Sequence, residues 1–147
     1  MALTAFLSGA SGFVGSHLAR ELRRQGWAVH LLARPTSSLE EIADLDVTVH
    51  LGDVTDAASL GAAMPANTDA VFHVAASTNF WSRKNDEQTR INVDGTRNML
   101  DTAVAAGAGR FIHTSSFVTW GFQDAVFTED MPRVTSSDWI KYVRTKH

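Results

Sequence analysis

The sequence predicts an α/β chain, a parallel sheet doubly wound with helices on both faces. Three observations predict it. Apolar runs of strand length alternate with helical stretches five times along 147 residues. Gly9, Gly12 and Gly15 cluster between the first apolar run and the first helical stretch. Residues with chemistry to offer then fall just after the apolar runs, where ligands of such sheets bind, beyond the carboxyl ends of the strands.

The elements follow in order. LTAFLSGA is a short apolar run ending in small residues, as a buried parallel strand would be. GFVGSHLARELRRQG places Val14, Leu18 and Leu22 four apart, with Gly26 as the stop of an amphipathic helix. WAVHLLA is the second strand, SSLEEIADL a short helix capped by Ser37 or Ser38, and VTVHLGD the third strand. TDAASLGAAM is a small-residue helix ending before Pro65, and DAVFHVAA the fourth strand. The longest helical stretch runs from about Asp86 to Ala106, with Gly107 and Gly109 ending it. RFIHTSS is the fifth strand, and TSSDWIKYVRTKH begins a last helix, with Ser137 or Asp138 as cap.

Composition narrows the function classes. At 44% hydrophobic the chain can bury a core as one domain, and with no cysteine it has neither disulfides nor thiolate metal sites. A net charge of −3 leaves no basic footprint for nucleic acid. No apolar run is long enough to span a membrane, and a soluble cytoplasmic domain is expected. The six histidines are scattered without metal spacing, so no metal site is expected; His73 and His113, within strands, are read as packed.

The glycine cluster is the first feature with a chemical meaning. A tight strand-to-helix turn needs a residue free of Cβ clashes, here Gly9. Gly12 would let a pyrophosphate approach the backbone at the helix N-terminus, where unpaired N–H groups and the dipole favour anions. Gly15 would let the helix pack close to the sheet. In a strand–turn–helix setting this favours dinucleotide binding over an ordinary turn. Tyr142 and Lys146, four apart at the end of the chain, can share a helix face, where the ammonium would lower the phenol's pKa.

The spacing G-x-x-G-x-x-G, together with SGASGFVGSH, LGDVTD, VFHVAA, INVDGT, FIHTSS and YVRTK in that order, resembles the N-terminal part of an extended short-chain dehydrogenase/reductase. Within that group it is similar to the dihydroflavonol reductase and 3β-hydroxysteroid dehydrogenase branch, with nucleotide-sugar epimerases as cousins. The resemblance implies a Rossmann-type domain over residues 1–147, C-terminally incomplete, truncated just after the Tyr-x-x-x-Lys pair and lacking the substrate domain. Little or no activity is then expected of the chain alone, and fraying of its last helix.

The same resemblance distributes roles. Gly9, Gly12, Phe13, Val14 and Gly15 would hold the cofactor diphosphate. Where an NAD-binding unit carries an acid for the ribose 2′-hydroxyl, this chain has Ala33, followed by Arg34 and, further on, Ser37; a guanidinium pairs with a 2′-phosphate, which favours NADP over NAD. Asp53 and Val54 would receive the adenine, Ala75 and Ala76 would leave room beside the backbone, and Asn92 would face the active site. Ser116 would bind the substrate carbonyl, Tyr142 would transfer the proton, and Lys146 would hold the nicotinamide ribose and acidify the phenol. Trp120-Gly121 replaces the family's usual Tyr-Gly. Phe80, Trp81, Phe117 and Trp120 would line an apolar or aromatic pocket or merely cover the sheet. The leading expectation is an NADP-dependent carbonyl reductase or alcohol dehydrogenase acting on a small molecule, with a homodimer as its candidate assembly. A nucleotide-sugar epimerase or dehydratase with bound NAD and a non-catalytic dinucleotide-binding module are the rivals.

Overall fold

The computed structural model describes residues 2–79, 85–135 and 138–146. Strands β1 (Thr4–Ser8), β2 (Ala28–Ala33), β3 (Thr48–Leu51), β4 (Ala70–His73) and β5 (Phe111–His113) form one parallel sheet in the order β3-β2-β1-β4-β5. That order follows the first five positions of the doubly wound dinucleotide-binding sheet, whose direction reverses between β1 and β4.

The period of the strands sorts side chains between two layers. Ala5 and Leu7 of β1 pack with Ala19 and Leu22 of helix α1 (Phe13–Arg24), whereas Phe6 packs with Leu60 of α2 (Ala57–Ala63) and Met99 of α4 (Gly95–Ala105). Each fully buried Leu or Phe of these clusters contributes roughly 1.5–3 kcal/mol. Helix α1 stops where its glycine allows: Gly26 has φ +82°, and the Trp27 amide donates to Leu22 O, closing the last turn. Asp56 caps α2 by accepting from the amides of Ala58 and Ser59.

Three expectations change. The helix foreseen around Glu40 is only a 3₁₀ turn, Glu40–Ile42, with Leu39 rather than a serine at its N-cap. The long helix is α3 (Asn85–Thr89) and α4 joined by a π-helical turn, Arg90–Asp94, an extra residue inserted in the ladder. The last helix, α5 (Lys141–Thr145), begins at Ile140 with no side-chain cap, because the Asp138 carboxylate pairs with Arg133 instead; Ser137 lies outside the described residues.

Candidate active site

A cavity of about 650 Å³ opens at the carboxyl ends of β1, β2, β3 and β4. Its floor is the glycine turn. Gly9 has φ +84°, and a Cβ there would stand 2.6 Å from the Ala75 nitrogen. A Cβ on Gly15 would stand 2.1 Å from the Gly9 carbonyl oxygen, so this glycine is required by the turn folding onto itself rather than by approach to the sheet. Gly12 caps α1 without a side chain, and a Cβ there would touch only Gly9 O at 3.5 Å. The three glycines thus leave an open cradle at the start of α1, where free N–H groups and the helix dipole attract anions. Phe13 and Val14, 80% and 56% exposed, form its lip.

Two further turns complete the nucleotide half. Ala33, the last residue of β2, is buried and carries no acid. Arg34 follows on the cavity wall with Ser37, in a turn that places Pro35 second: Ser37 N donates to Arg34 O at 2.9 Å, and Ser37 Oγ accepts from Arg34 N at 3.3 Å. The serine hydroxyl proton remains available to a ligand. After β3, Asp53 Oδ1 accepts from both the amide and the hydroxyl of Thr55, each at 2.8 Å, and Val54 is buried beside it. Ala75 and Ala76 line the opposite wall.

Asn92 holds rather than lines. Buried in the π-helical turn, its Oδ1 accepts from Ser77 N at 2.7 Å, and its Nδ2 donates to Ser77 O and to Thr145 Oγ1, both at 2.9 Å. One turn earlier Gln88 donates to Ser77 O and Asn79 O. Two amides on one helix side therefore grip the segment after β4. The sequence reading passed over Ser77, Thr78 and Glu87, which line the cavity, and Thr145, which ties α5 to Asn92. Position after a strand end was the signal for Ser77 and Thr78; nothing local marks Thr145.

His73 carries the hydrogen bonding deeper. Thr96 Oγ1 donates to Asn92 O at 2.6 Å, so it accepts from His73 Nε2, 3.0 Å away, and His73 Nδ1 accepts from Ser8 Oγ at 2.8 Å. Burial, then the neighbouring His113 and Lys146, push the imidazole down to about 3, which keeps it neutral. The expectation of packed strand histidines holds here: His73 is buried and bonded at both nitrogens.

The three residues expected to react, Ser116, Tyr142 and Lys146, stand beyond β5. Ser116 precedes a 3₁₀ turn, Phe117–Trp120, and caps nothing with its hydroxyl. Lys146 is buried; its Nζ donates to Thr114 O at 2.9 Å, and Ser115 Oγ donates to Lys146 O at 3.0 Å. Burial lowers the lysine's pKa. These two bonds tie the end of α5 to the strip that carries Ser116, while Thr145 Oγ1 donates within the helix to Tyr142 O. The Lys146 amide donates to Val143 O at 3.1 Å. None of Ser116, Tyr142 and Lys146 lines the cavity. Phe117 and Trp120 do not line it either: Phe117 meets Phe127 edge-on, and Trp120 Nε1 donates to Met131 O. Phe80 and Trp81 lie outside the described residues. Among the described residues no cluster of His, Asp or Glu could hold a metal ion, and no helix is long and apolar enough to cross a membrane.

A glycine turn opening a helix, over a parallel sheet whose strand order reverses beside it, defines a Rossmann-type domain. The chain belongs to the NAD dependent epimerase/dehydratase family, whose model matches residues 5–143. It is 37% identical to a Synechocystis protein provisionally named dihydroflavonol 4-reductase, over 82% of this chain and 35% of that protein. It is 32% identical to a 3-beta-hydroxysteroid dehydrogenase of Mycolicibacterium neoaurum, over 95% of this chain and 39% of that one. Among solved structures, a short-chain dehydrogenase/reductase superfamily protein of Agrobacterium tumefaciens with bound NAD superposes with TM-score 0.80 at 29% identity, covering 97% of this chain and 42% of that one. The chain spans little more than a third of the length of these curated relatives.

Proposed function

We propose that the chain is the dinucleotide-binding and acid/base part of an oxidoreductase that reduces a ketone or aldehyde to an alcohol with NADP. The observation that carries this reading is that Arg34 and Ser37 line the cavity just after Ala33, the position where an NAD enzyme would keep its acid, in the same cavity as the glycine turn. The relatives named as a reductase and a dehydrogenase support the reaction class, and the Agrobacterium neighbour's bound NAD supports a nicotinamide dinucleotide as cofactor. In this reading residues 1–147 are one dinucleotide-binding domain, and the parts that select the substrate lie outside it.

The residues present fit such a cofactor. The glycine turn, whose Gly12 leaves the start of α1 without a side chain, would hold the diphosphate, Arg34 and Ser37 the 2′-phosphate, and Asp53 and Val54 the adenine. The cofactor supplies the hydride. Ser116 donates a hydrogen bond to the substrate carbonyl, orienting it and stabilising the charge that grows on its oxygen. Tyr142 gives that oxygen its proton. Lys146, partly desolvated and held by Thr114, favours the phenolate left behind.

The test is a calorimetric titration of the chain with NADPH and with NADH. Tighter binding of NADPH is expected, and Arg34→Asp should reverse the order. Unchanged NADPH affinity in that variant removes Arg34 from the site; tighter NADH binding by the unsubstituted chain makes the cofactor NAD.

A further inference from the structure

The wall that the adenine would meet is shaped by a helix that does not itself contribute that wall. Val54 is buried beside Asp53 at the end of the cavity under β3. Behind it lies Gly95, the first residue of α4. A Cβ on Gly95 would stand 2.8 Å from Val54 Cγ2 and 3.2 Å from its Cβ, both closer than side-chain atoms pack. The backbone of Val54 is held as well: Asn98, one turn further along α4, donates from Nδ2 to Val54 O at 3.0 Å. Gly95 has ordinary helical angles, φ −61° and ψ −40°, so the backbone does not demand glycine. In a helix interior glycine is less stable than alanine, and here only the contact with Val54 accounts for it. The π-helical turn ends at this point: the Gly95 amide donates five residues back to Arg90 O, which sets the angle at which α4 leaves the turn.

We propose that Gly95 and Asn98 fix the width of the base-binding end of the cavity, Gly95 as the seat against which Val54 rests and Asn98 as the tie that keeps it there. Both are specificity-determining positioning residues, outside the cavity lining. The proposal rests on the reading that this end receives a flat purine ring. A methyl group at position 95 drives the Val54 side chain outward into the cavity and narrows the slot for the ring, while the glycine cradle at the start of α1 is untouched.

The test follows Val54 methyl resonances by NMR while ADP-ribose or nicotinamide mononucleotide is added to the chain. In Gly95→Ala the Val54 methyls should shift, ADP-ribose should bind roughly tenfold more weakly, as expected of an overpacked contact, and nicotinamide mononucleotide should bind as before. The melting temperature should fall only modestly, since alanine's gain in the helix offsets part of the overpacking. Val54→Ala in the same background should recover part of the ADP-ribose affinity lost in Gly95→Ala, although it removes a side chain that meets the ring. Unmoved methyls, unchanged ADP-ribose binding, equal loss for both ligands or no rescue by Val54→Ala would each overturn the proposal. If Gly95→Ala does not fold, recovery of folding in the double variant supports the seat, and its failure to recover overturns it. Uptake of no ADP-ribose by the unsubstituted chain would instead break the dinucleotide reading, and this inference with it.

Discussion

The two halves of the sheet's carboxyl edge are built differently. Around β1, β2 and β3 the cavity is shaped by turns that each close within a few residues: Gly12 onto Gly9, Ser37 onto Arg34, Thr55 onto Asp53. Around β5 the residues proposed to react are placed by side chains far apart in the chain: Lys146 reaches Thr114, Ser115 reaches back to Lys146, and Asn92 bridges Ser77 to Thr145. Local closure makes a preformed ligand cradle at little entropic cost. Long-range ties make a site whose geometry depends on the packing of the whole domain, and each tie is a place where it can be undone.

The sharpest separation of the halves comes from Tyr142→Phe. In any form of the protein that turns over, kcat should fall by ~10²–10⁴ while NADPH binding stays within error in the same titration. Equal loss of binding would mean that the halves are not separable. The converse variant is Gly15→Ala. Its Cβ would meet the Gly9 carbonyl at 2.1 Å, so the turn must open. Dinucleotide affinity should fall roughly 100-fold, and stability by about 1–3 kcal/mol, as for other overpacked sites. Calorimetry and a denaturant melt together read both.

Asn92→Ala strikes the long-range ties. It leaves the Ser77 amide without its acceptor and takes from Thr145 Oγ1 the bond it accepts, and the chain should lose roughly 1–3 kcal/mol in urea. Amide resonances should move in 142–146 and 77–79 but not in 9–15; shifts centred on the glycine turn would contradict the division. The smallest effect concerns the histidine between the halves. Folding depresses His73 to about 3, below the ~6.5 of an exposed imidazole, so the unfolded chain binds the extra proton between those values. Its contribution to stability is full above ~6.5 and is lost as pH falls towards 3, about 1 kcal/mol between pH 7 and 5.5. Urea midpoints at those two pH values should show this slope, and His73→Asn should reduce it, leaving the part due to His30 and His113, which burial also lowers.

The comparison also separates what was legible from what was not. Gly9, with its positive φ, and Gly12, at the helix N-terminus, were readable because a tight strand-to-helix turn constrains residue type locally. Gly15 was found for a different reason from the one that holds, since the carbonyl it must clear belongs to the turn and not to the sheet. The cap of α5 was misplaced because Arg133, from outside the predicted helix, competes for the Asp138 carboxylate. Asn92 was singled out as facing the site, yet its amide is spent on Ser77 and Thr145. The π-helical turn around it leaves no periodic signature in so short a stretch.

From the order of residues alone came the alternation of strand and helix, the parallel winding and the glycine turn, because hydrophobic period and steric freedom act between near neighbours. The tertiary structure decided which amides clasp the segment after β4, why His73 is neutral and why position 95 is bare. Those outcomes depend on burial and on partners tens of residues away, and chain connectivity does not encode such distances.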